Sequence, residues 1–165
     1  MPEFWDVYDR NRNKTGRTAI RGEKLAPGEF HLVVHIWILN SNGEYLIQKR
    51  APHVKGFPNM WATTGGAAVM GDDSAAACVR ETKEELGIIP DMENAEVAFT
   101  VFREASISDV WLVRQNVDIA ECVLQKEEVS AVKWATPEEI LSMANRGEFV
   151  HYRYLHELFA AALPA

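Results

Sequence analysis

The stretch GAAVMGDDSAAACVRETKEELGI, residues 66–88, decides how the rest of this chain is interpreted. Its second half predicts a helix over 74–86, rich in alanine. Ser74 or Asp73 can provide the N-cap, because both side chains accept hydrogen bonds from free backbone N–H groups. Gly87 stands where a left-handed C-terminal cap is expected. The sequence therefore marks both ends of this helix.

Three glutamates crowd the last turns of this predicted helix. Glu81 faces Glu84 and Glu85 at i+3 and i+4 spacing, and each like-charge pair costs about 0.2–0.5 kcal/mol. The negative end of the helix dipole adds to the repulsion. A bound Mg²⁺ or Mn²⁺ explains this arrangement, because hard divalent cations prefer carboxylate oxygens. An acidic helix face in contact with solvent is the alternative interpretation.

The same stretch resembles the signature of the Nudix hydrolases, G-x(5)-E-x(7)-R-E-U-x-E-E-x-G-U, in which U is a bulky aliphatic residue. Asp72 stands where the first Glu is usual, which keeps the charge but shortens its reach, and Thr82 stands where an aliphatic residue is usual. The resemblance implies an α/β fold, the Nudix α/β/α sandwich with a mixed β-sheet. The matching positions follow one another in register without a gap: Gly66, Arg80, Glu81, Glu84, Glu85, Gly87 and Ile88.

The resemblance also implies roles for the residues of this signature. Glu81, Glu84 and Glu85 would hold Mg²⁺ or Mn²⁺ on one face of the helix, and the backbone carbonyl of Gly66, in a loop of bare backbone, would be a further metal ligand. Arg80 would orient the carboxylates through a salt bridge. These residues are the predicted catalytic and metal-binding set.

Further candidates lie outside the signature. Nudix enzymes often use a carboxylate from a later loop, and Glu128 is the first candidate and Asp109 the second, with ordinary surface charge as the alternative for both. The turn-rich segment 51–61 contains Lys55 and directly follows Arg50, and the charges of these two residues suit contacts to substrate phosphates. Solvated surface charge is the alternative for these two cations as well.

Length and composition favour one Nudix domain over residues 1–165, with residues 1–26 as an extension that folds as a β-hairpin. The chain has no apolar run long enough to span a membrane, and its N-terminus is too polar for a signal peptide, so we expect a cytoplasmic protein. The net charge of −7 argues against nucleic-acid binding. Cys78 and Cys122 form neither a disulfide framework nor a zinc pattern.

The remaining elements follow from hydrophobic periodicity and turn signals. A capping box at Thr136 starts one helix, which runs through Ala144. A last amphipathic helix is predicted over 151–163. The predicted strands cover residues 31–39, 45–50, 61–64, 95–104, 110–117 and 130–134, with the connection ASISD at 105–109.

The region before the signature is similar to a Nudix subgroup related to isopentenyl diphosphate isomerases. The similarity lies in the strand that begins at His31, the L-x-Q-K-R strand that ends at Arg50, and the F-P-x-x-W loop at 57–61. Isomerisation would require the cysteine that those isomerases carry shortly after the tryptophan, and a histidine two residues further on. This chain has Gly66 and Ala68 there, and neither side chain transfers a proton. Isomerase activity is therefore not expected.

The expected function is metal-dependent hydrolysis of a diphosphate linkage in a nucleoside triphosphate or a nucleoside diphosphate derivative. The partner is thus a small diphosphate compound, and the family resemblance favours a homodimer. A Nudix-fold module that binds a nucleotide or a partner without hydrolysis is the alternative, and only the shortened Asp72 favours it. Nothing in the sequence selects one substrate.

Overall fold

A two-stranded hairpin and a seven-stranded mixed sheet contain the strands of the computed structural model, which describes residues 1–163. Three α-helices flank the sheet, and short 3-10 helices lie at Met92–Asn94 and Ile119–Glu121. The α-helices are α1 (Ser74–Leu86), α2 (Pro137–Asn145) and α3 (Leu155–Ala161). The strands are β1 (Phe4–Tyr8), β2 (Lys14–Ile20), β3 (His31–Leu39), β4 (Tyr45–Arg50), β5 (Trp61–Ala62), β6 (Thr64–Ala67), β7 (Ala95–Phe102), β8 (Ser106–Arg114) and β9 (Val129–Ala135).

The main sheet is split between β3 and β4. Its order is β5-β4-β3-β8-β7, and β6 also pairs with β3 while β9 also pairs with β4. In the described residues, β3 joins β4 only through the pair Leu39 and Tyr45, so the two strands diverge from that point. β3 and β8 are parallel along their whole length. The divergence opens a cleft in the sheet.

Helices cover both faces of this sheet, as the α/β/α prediction requires. Alternate residues of β3 point to opposite faces. On one face, Val34 belongs to a core cluster that includes Ala77 and Leu86 of α1. Trp37, on the other face, belongs to a cluster that includes Leu158 of α3. The predicted fold class and the N-terminal hairpin are both confirmed.

The caps of α1 follow the sequence prediction and decide between its two N-cap candidates. Asp73 provides the N-cap, because its Oδ1 accepts a 2.7 Å hydrogen bond from the backbone N of Ala76. Gly87 ends the helix at a φ of 70°. A β-carbon there would lie 2.7 Å from the Cβ of Val123, so both backbone strain and space require glycine. Thr82 is fully buried and donates to the carbonyl of Cys78.

The predicted connection at 105–109 was wrong. β8 begins at Ser106, so Asp109 lies inside a strand. Asp109 is only 1 % exposed. A carboxylate is tolerated there because its partners come from distant parts of the chain. Arg12, in the turn of the N-terminal hairpin, donates two hydrogen bonds to it, and Thr100 donates a third at 2.7 Å. Asp109 is therefore not a loop carboxylate.

The predicted strand over 61–64 is divided in two. Residues on either side of Thr63 pair with different halves of the split sheet, since β5 pairs with β4 and β6 pairs with β3. Gly65 and Gly66 lie in β6, where they pair with β3, and not in the loop that the sequence predicted. The glycines therefore form part of the sheet edge at the cleft.

The last helix is shorter than the predicted range 151–163. Tyr152 and Tyr154 precede it, and both pack into the core from outside the helix. Trp37 donates a 3.0 Å hydrogen bond to the hydroxyl of Tyr154, which holds this segment against the sheet. Within residues 1–163, no helix combines the length and the apolar character that crossing a membrane requires.

Candidate active site

A pocket of about 290 Å³ lies beside the carboxylates near the C-terminal end of α1. Most residues of the predicted site line this pocket. They come from the signature, from the end of β4 and from the segment before β9. Of the predicted set, Lys55 is not among the described residues that line this pocket. The lining residues are Glu3, Arg21, Arg50, Gly65, Gly66, Arg80, Glu81, Glu84, Glu85, Gln125 and Glu128.

Glu81 and Glu85 form a buried pair of carboxyl groups at the centre of the pocket. Their side chains share a hydrogen bond, and burial raises the pKa of both, with their mutual proximity acting in the same direction on Glu85. A β-carbon at Gly66 would lie 2.5 Å from the carboxyl carbon of Glu81, so only glycine allows this close approach. Two carboxylates held together away from water require a shared proton or a cation.

Gln48 fixes the orientation of Glu85, a role that the sequence analysis did not assign. Its side-chain amide donates to Oε2 of Glu85, while its carbonyl oxygen accepts a 2.7 Å hydrogen bond from the hydroxyl of Thr64. Gln48 is 2 % exposed. The signal in the sequence was a polar amide that follows an apolar run, Tyr45-Leu46-Ile47, within one predicted strand.

Arg80 links the two ends of the signature. Its Nε lies 2.9 Å from Oδ2 of Asp72, and its Nη1 lies 3.2 Å from a carboxylate oxygen of both Glu81 and Glu84. Its remaining nitrogen donates to the carbonyl oxygen of Ala67 at 3.1 Å. The aspartate therefore reaches the arginine despite its shorter side chain.

The donor set fits a hard divalent cation. All of its candidate ligands are oxygens, and two of the carboxyl groups already lie beside the glycine pair, Glu81 against Gly66 and Glu85 against the backbone of Gly65. Among residues 1–163, no three side chains of His, Cys, Asp or Glu converge as a complete set of metal ligands. Glu84 is the most exposed of the three glutamates, and its carboxylate contacts Arg80. A metal would thus be held by Glu81 and Glu85 first.

Two arginines from different parts of the chain border the pocket. Arg50 is held by a 2.6 Å hydrogen bond from its Nε to the carbonyl oxygen of Gly56. Arg21 comes from the N-terminal extension and forms a 3.0 Å ion pair with Glu3. The sequence analysis missed Arg21, because a charged residue after a return strand has no feature that distinguishes it from ordinary surface charge.

The two candidate loop carboxylates have different locations. Glu128 lines the pocket, and its backbone carbonyl accepts a 2.8 Å hydrogen bond from the N–H of Ala51. Asp109 is not among the described residues that line it. Burial alone would raise the pKa of Asp109, but hydrogen bonds from Arg12, Ser74 and Thr100 hold it below its usual value. Asp109 thus remains a charged structural group.

The comparison with known protein families decides the family of this chain. The model of the NUDIX domain matches residues 29–158. The chain belongs to the Nudix family. Its Nudix signature occupies the second half of β6, the loop after it and the whole of α1, so Gly66 and the three glutamates predicted to bind metal come from neighbouring elements that pack directly on each other.

Known proteins resemble this chain over most of its length. An uncharacterized Nudix hydrolase of Listeria monocytogenes is 43% identical over 158 residues, which is 95% of this chain and 94% of that protein. A Deinococcus radiodurans crystal structure has a TM-score of 0.78 at 24% identity, covering 98% of this chain and 100% of that one. The NUDIX domain of Shewanella oneidensis NrtR, complexed with ADP ribose, has a TM-score of 0.57 at 20% identity, covering 81% and 86% of the two chains.

Proposed function

We propose that this Nudix protein is a Mg²⁺- or Mn²⁺-dependent hydrolase that cleaves a diphosphate linkage in a nucleoside triphosphate or a nucleoside diphosphate derivative. One observation carries the proposal, which is that Glu81 lies against Gly66 beside the buried carboxyl group of Glu85. An ordinary acidic surface helix would separate its carboxylates and expose them to water. This pair is held together instead, as ligands of a shared cation are.

A bound divalent cation would neutralise the phosphate oxygens that gain charge as water attacks phosphorus, and would make that water easier to deprotonate. The residues of the chain have separate tasks. Glu81 and Glu85 hold the cation, and Gln48 keeps Glu85 in place through its amide. Glu128 also lines the pocket, and we assign to it the acceptance of a proton from the attacking water.

Positive charge on the pocket border would bind the substrate phosphates. Arg50 and Arg21 both line the pocket, and a guanidinium group binds two phosphate oxygens at once. Arg80 is engaged with Asp72, Glu81 and Glu84, so we assign it to positioning the carboxylates and not to substrate.

A nucleotide-binding module without hydrolysis was the alternative, and it rested on the shortened side chain of Asp72. The ion pair of Asp72 with Arg80 weakens that reason, because the shorter side chain still reaches a residue of the signature. Gly66 and Ala68 also have no side-chain group that could transfer a proton to an alkene. Both points favour diphosphate hydrolysis over the alternatives.

The test is release of phosphate products from a panel of diphosphate compounds. The panel contains nucleoside triphosphates, sugar nucleotides, coenzyme A, dinucleoside polyphosphates and ADP ribose, the compound bound by the NrtR domain. Each is incubated with Mg²⁺, with Mn²⁺ or with EDTA. We expect cleavage of at least one compound that depends on the metal. If every compound survives with both metals, the hydrolase proposal is wrong and the binding module replaces it.

A further inference from the structure

The N-terminal hairpin is bonded to the signature loop, residues 68–73, which connects β6 to α1. The backbone N–H of Met70 donates a 2.8 Å hydrogen bond to the carbonyl oxygen of Phe4. The next N–H, that of Gly71, donates a 2.9 Å hydrogen bond to Oδ2 of Asp6. Both acceptors belong to β1. One strand of the hairpin therefore fixes two successive N–H groups of this loop.

The carboxylate of Asp6 is half-buried and remains charged. Nζ of Lys14 lies 3.1 Å from the same Oδ2 that accepts the hydrogen bond from Gly71. Burial would raise the pKa of Asp6, but the hydrogen bonds from Gly71 and Lys14 outweigh burial and hold this pKa below its usual value. A charged acceptor binds a backbone N–H more strongly than a neutral one does. Asp6 thus makes a strong contact to the signature loop.

The N–H that Asp6 holds belongs to a tight turn over residues 69–72. The N–H of Asp72 donates a 2.9 Å hydrogen bond to the carbonyl oxygen of Val69 and closes the turn. Gly71, its third residue, has a φ of 94°, which side chains other than glycine rarely allow. The carboxylate of Asp72 accepts a 2.9 Å hydrogen bond from Nε of Arg80. The turn therefore determines where this carboxylate meets the arginine.

Arg80 connects this turn to the catalytic helix. Its Nη1 lies 3.2 Å from Oε1 of Glu81, which is one of the predicted metal ligands. Hydrogen bonds, ion pairs and one peptide bond thus join Asp6 to Glu81 without a gap, by way of Gly71, Asp72 and Arg80. Outer partners of this kind orient the ligands of a metal site.

A second contact holds the hairpin beside the start of α1. Arg12, in the hairpin turn, donates two hydrogen bonds to the carboxylate of Asp109. Ser74, the first residue of α1, forms a hydrogen bond with the same carboxylate. The NUDIX model matches residues 29–158, so the hairpin lies outside the matched range. The hairpin therefore supports the signature from outside the part that the family model describes.

We propose that Asp6 is a positioning residue for the catalytic centre, because its hold on Gly71 keeps Arg80 in place beside the carboxylates of the proposed metal site. This inference rests on the proposed function. Partners outside the ligand shell typically contribute about 10- to 100-fold to metal affinity or activity. Asp6 acts through further residues, so we expect about a fivefold contribution, below that typical range.

The first test measures metal binding without substrate, by electron paramagnetic resonance of Mn²⁺. Asp6→Ala removes the acceptor for the N–H of Gly71, whereas Asp6→Asn keeps an oxygen there. Lys14→Met removes the ion pair and leaves the contact to the loop. We expect the Kd for Mn²⁺ to rise about fivefold in Asp6→Ala and less than about twofold in the other two variants.

The matched control is Glu23→Gln, which removes an ion pair within the same extension. Oε2 of Glu23 lies 3.0 Å from Nη1 of Arg17, and neither residue lines the catalytic pocket. This variant should bind Mn²⁺ as the wild type does. Urea unfolding measures the folded fraction of each protein. If Asp6→Ala does not fold, Asp6→Val takes its place, because a β-branched side chain favours a strand and offers no acceptor.

The second test measures kinetics with the compound that the panel identifies. In Asp6→Ala, we expect the Mg²⁺ concentration that gives half-maximal activity to rise about fivefold, while KM for the substrate changes little. Excess Mg²⁺ should restore most of kcat, and Asp6→Asn should resemble the wild type. A hairpin that only stabilises the fold would not change the Mg²⁺ requirement per folded molecule.

The outcomes separate this inference from the proposed function. If Asp6→Ala alone weakens Mn²⁺ binding but no diphosphate compound is cleaved, the positioning role stands and the hydrolase proposal fails. If hydrolysis is found but Asp6→Ala binds Mn²⁺ as tightly as the wild type, only the positioning role is overturned. An equal loss in Lys14→Met also overturns it, because the ion pair and not the contact to the loop would then be responsible.

Discussion

The Nε of Arg80 lies 2.9 Å from Oδ2 of Asp72, so the residue that departs from the usual signature still reaches its partner. This ion pair holds the guanidinium group between Asp72 and the carboxylates of Glu81 and Glu84. Oδ2 of Asp72 also accepts a 3.3 Å hydrogen bond from the backbone N–H of Val69. The loop before α1 and the C-terminal half of α1 are thus fixed relative to each other.

Asp72→Asn should lower hydrolytic activity by about tenfold, since a residue that orients metal ligands typically contributes that much. Asp72→Glu should retain most of the activity, because it keeps the charge. The measurement is kcat/KM with the identified substrate, accompanied by circular dichroism as a check of folding. Equal activity of the asparagine variant and the wild type would show that the ion pair does not position the catalytic residues.

Gln48→Leu should destabilise the protein by about 1–3 kcal/mol, because it removes the hydrogen-bond partners of two buried groups, the carboxyl of Glu85 and the hydroxyl of Thr64. Urea unfolding measures the change. Gln115→Leu is the matched control, since its amide binds at the surface to the carbonyl of Ile89. A loss no larger than that of the control would contradict the role given to Gln48.

Arg12→Met should cost about 3 kcal/mol of stability, because it leaves the carboxylate of Asp109 charged and buried without its cation. The double variant Arg12→Met, Asp109→Asn should recover a large part of that loss, since it removes the unpaired charge. A double-mutant cycle by urea unfolding measures the coupling. Additive effects of the two substitutions would refute the proposed dependence of Asp109 on Arg12.

His31 should make the protein less stable in mild acid. Burial lowers its pKa to about 4, and the charge of Arg21 acts in the same direction. A histidine in the unfolded chain titrates near about 6.5. Because the folded state favours the neutral ring, the contribution of His31 is complete above about pH 6.5 and is lost as the pH falls toward 4.

His31→Phe should remove this part of the pH dependence. The stacking on Trp5, with ring centroids 3.8 Å apart, can be kept by phenylalanine. Between pH 7 and pH 4, the free energy of unfolding should fall further in the wild type than in the variant, by up to about 3 kcal/mol. Contact of the ring with solvent makes this difference smaller. Parallel pH profiles of the two proteins would contradict the assignment.

The parts of the fold that could be predicted from the sequence are those determined by local signals. The caps at Asp73 and Gly87, the capping box at Thr136 and the apolar run of β3 each act within a few residues, and the structure contains an element at every one of these positions. The acidic face of α1 could also be predicted from local sequence, because side chains at i+3 and i+4 share one face of any helix.

The errors arose where distant residues decide the local structure. Asp109 looked like a loop residue because a strand interior seldom holds a carboxylate, and its partner Arg12 lies 97 positions away. Tyr152 and Tyr154 fit a helical pattern, but contacts with β3 hold them outside the helix. Gln48 and Arg21 were missed for the same reason, since the partner of Gln48, Glu85, and the pocket residues around Arg21 come from other segments.

The central claim is that Glu85 holds a catalytic metal, and its most direct test is the variant Glu85→Gln. Glutamine keeps the shape of the side chain and removes its charge, so we expect kcat/KM to fall by about 10²-fold or more while the free energy of unfolding stays the same or rises. Glu93→Gln, an exposed acid outside the pocket, is the matched control and should retain full activity. Full activity of Glu85→Gln, or unfolding of the variant with unchanged activity per folded molecule, would contradict the claim.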